Sequence, residues 1–197
     1  MSVQLELLRH GETVSGGGFR GRLDDALTAT GWRQLRSAVV GRGPWDRIVS
    51  SPLRRCAEFA AELAEQRSID LELEPDLREL DFGDWEGRTA ADLMIDQSEA
   101  LGRFWNDPYS FTPPNAEPVA TFADRVLAAI ERLTDRCAGE RVLLVTHAGV
   151  MRLLLAQARG LPREGLLQVQ VGHGELFGLR TGFADATLWL EERCSPF

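Results

Sequence analysis

Val142-Leu143-Leu144-Val145-Thr146-His147-Ala148-Gly149-Val150 is the stretch on which the reading of the fold turns. Residues 142–145 are an unbroken apolar run, as expected of a strand buried on both faces in a parallel sheet. Thr146 and His147 interrupt it, and residues 150–159 read as a helix. A buried strand passing into a helix through a short polar link is the repeating unit of an α/β domain. Working outward, the unit recurs. Residues 3–8 alternate as a first strand, and 28–40 read as a helix closed by Gly41-Arg42-Gly43-Pro44. Ile48 and Val49 form a short strand entering Ser50-Ser51-Pro52. Proline suits the first helical position, so 53–66 read as a helix with Leu53, Ala57, Ala60, Ala61 and Ala64 as its core face. A short strand at 71–73 and one helix over 89–105 follow. Residues 107–118 hold four prolines and are expected to be an exposed loop or lid. Phe122, Val126, Ile130 and Leu133 mark an amphipathic helix, and two late strands fall near 175–179 and 187–190. With no repeat or linker, the expectation is one α/β domain over 1–197, a three-layer α/β/α sandwich around a largely parallel sheet.

Composition narrows the function. The net charge of −8 disfavours nucleic acid and anionic membrane as partners. All 22 basic residues are arginine, which removes Schiff-base chemistry, lysine general bases and Walker-type loops. No apolar run approaches the roughly 18 residues of a membrane span, and the N-terminal segment lacks a signal-peptide pattern, so a cytoplasmic location is expected. Cys56, Cys137 and Cys194 are widely spaced, which fits free thiols rather than a disulfide framework.

Two histidines occupy equivalent places. His10 follows the first strand in Leu8-Arg9-His10-Gly11-Glu12-Thr13, and His147 follows the buried strand. If both strands are central, the two imidazoles meet at the carboxyl edge of the sheet, where α/β folds bind ligands. Arg9 and Arg55 stand at similar strand ends. A single histidine after a strand is ordinarily a turn or core residue; two at matched ends, beside arginines, favour an anion site. A metal site competes, but HExxH and Cys–His spacings are absent. Gly16-Gly17-Gly18-Phe19-Arg20-Gly21 spells GxGxxG but does not lead into a helix, so it fails as a dinucleotide motif. Arg20 and Arg22 are read as solvated loop charges, with substrate contact as the alternative, and His173 as a turn residue, with pocket contact as the alternative.

The signature Leu8-Arg9-His10-Gly11-Glu12-Thr13 resembles that of the histidine phosphatase (phosphoglycerate mutase-like) superfamily. The resemblance continues through Asp25-Ala26-Leu27-Thr28 with Gly31 and Gln34, Ser50-Ser51-Pro52-Leu53-Arg54-Arg55, the stretch from Leu77 to Gly87, Glu117, and His147-Ala148-Gly149-Val150. It implies that His10 is the phosphoryl-accepting nucleophile, Glu79 the acid–base group and His147 a protonated partner. It puts Arg9, Arg55 and Thr13 among the substrate contacts, with Arg20, Gly16 and Gly21 as weaker candidates. No metal or cofactor is implied. Three departures stand out: the usual asparagine is Gly16, the proline before Leu27 is Ala26, and the G-E-S segment reads Ala116-Glu117-Pro118.

Within the superfamily, residues 80–87 and 104–108 look most like the α-ribazole-5′-phosphate phosphatases of cobalamin assembly. Broad phosphomonoesterases and mutases are the alternatives, and a non-catalytic phosphate-binding module is the contrasting class. The expected partner is a small phosphorylated metabolite, with self-association into a homodimer left open. Glu79 in its acid–base role asks for a raised pKa, for which Phe82 and Trp85 are candidate neighbours. Glu12 is expected to hydrogen-bond within the signature loop.

Overall fold

The computed structural model describes residues 2–193, so Cys194 lies outside the described residues. Strands β1 (Ser2–Arg9), β2 (Arg47–Ser50), β3 (Asp70–Leu73), β4 (Arg141–Thr146), β5 (Leu176–Ala184) and β6 (Thr187–Arg193) form one sheet in the order β3-β2-β4-β1-β5-β6. The β2–β3, β2–β4 and β1–β4 pairs are parallel. Strand β5 runs antiparallel to both β1 and β6. Five of the six strands therefore share one direction, and the sheet is largely parallel as expected.

Apolar side chains alternate between two cores. Leu5, Leu7, Val142 and Leu144 pack with helices α5 (Val119–Arg136) and α6 (Ala148–Ala158) on one face. Leu8, Leu143, Val145 and Ile48 pack with α1 (Ala29–Ala38) and α2 (Arg54–Arg67) on the other. Burial on both faces is why β4 reads as a continuous apolar run. The result is the three-layer sandwich expected from the sequence.

Local details differ from expectation. Pro52 precedes the N-cap of α2 instead of opening the helix, because Leu53 is extended there (ψ 137°). The buried face of α2 is Arg55, Cys56, Phe59, Ala60, Leu63 and Ala64, whereas Ala57 is half-buried and Ala61 exposed. Phe59 and Leu63 bury more apolar area than alanines can, and they set the rotation of the helix. The single helix expected over 89–105 is two, α3 (Ala90–Asp96) and α4 (Ser98–Asn106). The chain leaves helical geometry at Gln97 (φ −137°), whose Oε1 accepts from the indole N–H of buried Trp85 at 2.7 Å. The proline-rich segment is less exposed than expected: Pro108 and Pro113 are buried, and Tyr109 and Phe111 pack against the core.

Candidate active site

Strand register brings the two histidines together. Arg9 of β1 pairs with Thr146 of β4, and the His10 amide extends the ladder by donating to Thr146 O at 2.9 Å. His10 and His147 thus leave adjacent central strands at the same level, with ring centroids 5.3 Å apart. Ser51 joins them just past the end of β2, its amide donating to Val145 O at 3.0 Å.

Hydrogen bonding assigns the protons. His10 Nδ1 lies 2.8 Å from Gly11 O. A carbonyl only accepts, so Nδ1 carries the hydrogen and Nε2 keeps its lone pair. Burial, then the Arg55 charge, hold this imidazole well below the ordinary histidine range, opposed by the Gly11 bond. His10 is therefore a neutral, nucleophilic imidazole at neutral pH.

His147 is neutral as well, which corrects the expectation of a protonated partner. Its Nδ1 accepts from Arg55 Nε at 3.3 Å, leaving Nε2 to donate to Ser51 Oγ at 2.7 Å. Burial and Arg55, followed by His10, push its pKa well below the ordinary value. Cys56 Sγ lies 3.7 Å from His147 Nε2, but burial raises the thiol pKa steeply, so the thiolate needed for nucleophilic attack does not form.

The arginines divide into two kinds. Arg9 lines the cavity, with Nη1 donating to Val171 O at 2.7 Å and Nη2 facing His173 Nε2 at 3.1 Å, while its buried Nε has no protein partner. Arg55 lies fully buried beneath the histidines and donates to the carbonyls of Leu23, Arg20 and Gly21. Its guanidinium is turned to the 20–23 loop and does not line the cavity. Gly21 is also a support position: its amide donates to Glu86 Oε1 at 2.8 Å, and a Cβ would meet Leu80 O at 1.9 Å. Arg20 touches the cavity yet is no solvated charge, since Asp25 and the Ser15, Gly16 and Gly17 carbonyls absorb its donors.

Glu79 faces the same cavity. Its carboxylate accepts from the amides of Leu80 and Gly149, each at 3.0 Å. Arg125 of α5 fixes the segment that carries it, donating to the carbonyls of Asp76, Arg78 and Glu79 and holding Glu117 through two bonds. Glu117, which the resemblance singled out, is thus a brace for the Glu79 segment. On the other side, α1 presses on the signature loop. A Cβ at Gly11 would meet Gly31 O at 2.2 Å, and one at Gly31 would meet Glu12 O at 2.2 Å. Glu12 is bound within this loop, accepting from Thr28 Oγ1 at 2.9 Å, while its amide donates to Gln34 Oε1. The cavity measures about 910 Å³; Thr13, Gly16 and Gly17 line it near His10, and Phe19, Phe82, Phe104 and Trp105 supply aromatic wall.

Residues 5–187 match the histidine phosphatase superfamily (branch 1). The chain belongs to the histidine phosphatase superfamily. It is 32% identical over 176 residues to the adenosylcobalamin/alpha-ribazole phosphatase of Escherichia coli K12, covering 87% of both chains. It is 33% identical over 171 residues to the glucosyl-3-phosphoglycerate phosphatase of Mycolicibacterium vanbaalenii, covering 81% of this chain and 75% of that one. The alpha-ribazole phosphatase structure from Shigella flexneri superposes with a TM-score of 0.81 at 29% identity, covering 98% of this chain and 96% of that one.

As a histidine phosphatase the chain is a phosphoric monoester hydrolase. His10, His147, Arg9, Glu79 and Thr13 converge on one site, with Arg55 behind it. Two further residues line the cavity: His173, expected as a turn residue with pocket contact as the alternative, and Arg152, which the sequence did not single out. The pairing of Leu8 with Leu176 in antiparallel β5 returns the chain to the mouth of the site just after His173. A late strand after a histidine was the available signal, but its pairing partner was not.

Proposed function

We propose that this chain hydrolyses α-ribazole 5′-phosphate through a phosphohistidine on His10, as a step of cobalamin assembly in the cytoplasm. The observation that carries the chemistry is the unprotonated Nε2 of His10 in a cavity that also holds Glu79 and Arg9. Nε2 attacks phosphorus in line, the P–O ester bond breaks, and Glu79 in its protonated form gives its proton to the leaving alkoxide. Glu79 then takes a proton from water, whose oxygen attacks phosphorus and breaks the P–N bond, releasing inorganic phosphate. Arg9 and the Gly17 amide offer donors for the non-bridging oxygens, the Nε2–H of His147 turns to them from Ser51 Oγ as the phosphoryl group binds, and Arg55 supplies positive potential from behind. The aromatic wall of Phe19, Phe82, Phe104 and Trp105 suits a flat heterocyclic base.

A second reading, hydrolysis of an acidic phosphoester, is favoured by Arg152. Its Nε donates to Val169 O at 3.0 Å, and it lines the cavity as a further cation. Measuring kcat/KM for α-ribazole phosphate against phosphoglycerates separates the two readings. For the chemistry, His10→Ala should lose turnover by several orders of magnitude, and wild type quenched during turnover should carry acid-labile phosphate on His10. Near-normal turnover by the variant would defeat the mechanism.

A further inference from the structure

His173 stands at the cavity mouth on the link into β5, exposed to solvent. Its Nε2 faces Arg9 Nη2 at 3.1 Å. A guanidinium only donates, so Nε2 is the acceptor and the ring proton sits on Nδ1. The ring centroid is 5.6 Å from that of His10, close to the His147 spacing. Partial desolvation against the cavity wall, then the Arg9 charge, hold this imidazole below the ordinary histidine range, opposed by Glu12, so the ring is neutral near pH 7. The turn that carries it does not depend on the ring. Gly174 N donates to Arg9 O at 3.2 Å, and Glu175 N to Gly172 O at 3.2 Å. The cavity wall therefore carries an imidazole whose role is still open.

We propose that His173 is a third histidine of the phosphoryl site, accepting from Arg9 through Nε2 and donating Nδ1–H to a non-bridging oxygen of the substrate. The inference rests on the His10 reading above. As a neutral donor, His173 adds a hydrogen bond to the dianion without placing a like charge against Arg9. No proton is transferred in this role.

Nitrogen-15 histidine NMR on the whole wild-type protein, titrated with vanadate, tests the contact without turnover. The His173 Nδ1–H resonance should move downfield and exchange more slowly with water as the site fills. In kinetics, His173→Ala should lower kcat/KM on an aryl phosphate by about 10–100-fold, the worth of one hydrogen bond to a charged group, while the unfolding midpoint stays unchanged. Unmoved His173 resonances on a vanadate-bound protein, or a His173→Ala variant within threefold of wild type, would overturn the assignment. A wild-type protein that binds no vanadate would overturn the underlying phosphoryl-site reading instead.

Discussion

Gly149→Ala is a small change aimed at Glu79 alone. Gly149 lies in the first turn of α6, where its amide donates to Glu79 Oε2 at 3.0 Å. A Cβ there would stand 2.1 Å from Glu79 Oε1 and 3.1 Å from its Cδ, with Phe122 at an ordinary 3.4 Å. Atoms in normal contact need at least 3.0–3.4 Å, so the carboxylate must retreat by about 1 Å. Helix propensity favours alanine by about 0.5–1 kcal/mol, which offsets part of the lost hydrogen bond, worth about 1.5–3 kcal/mol to a charged acceptor. Stability should therefore fall by no more than about 2.5 kcal/mol. Misplacement of a reacting group by 1 Å costs on the order of 10²-fold, within the 10²–10⁴-fold worth of general acid catalysis. Stopped-flow measurement should show about a 10²-fold loss in phosphoryl transfer from an alkyl phosphate and a much smaller loss from an aryl phosphate with an acidic phenol. Glu79→Gln should reproduce that contrast. Equal slowing of both substrates, or none, would refute the view that Glu79 moves the leaving-group proton.

Three further outcomes follow from the same geometry. Because burial and Arg55 depress His10 and His147, the unfolded chain takes up their protons near pH 6.5 while the fold does not. Stability should accordingly fall as pH drops below about 6.5, by up to roughly 1.4 kcal/mol per pH unit for each still-neutral histidine; denaturant melts of His147→Asn should show a shallower slope, and an unchanged slope would argue against a neutral His147. Removing Arg125 strands Glu117 and three carbonyls, so Arg125→Ala should cost about 3 kcal/mol and lower Tm by roughly 6–12 °C in calorimetry. Chelator should leave turnover intact while vanadate inhibits; activity lost to chelator and restored by a divalent ion would point to a metal-assisted reaction.

What the amino-acid sequence determined by itself was the layered α/β class and the residues that carry charge and nucleophilicity. Those follow from short-range causes: the apolar run of β4, the amphipathic spacing of α5, and glycines beside His10 and His147. The tertiary structure alone decided which groups meet and which protons they hold. His147 reads as a plausible cation until Arg55 is placed against its Nδ1, since a donor there excludes the proton. Arg20 reads as a solvated charge until Asp25 and three loop carbonyls close on it. Arg125 and Glu117 lie eight residues apart on and before α5, and their function is invisible until the 76–81 segment packs against that helix. His173 becomes part of the site only because β5 runs antiparallel to β1, a pairing between segments more than 160 residues apart that no local periodicity encodes. Hydrogen-bond partners in an active site are set by such long-range packing, and burial there moves pKa values in directions that composition and spacing do not carry.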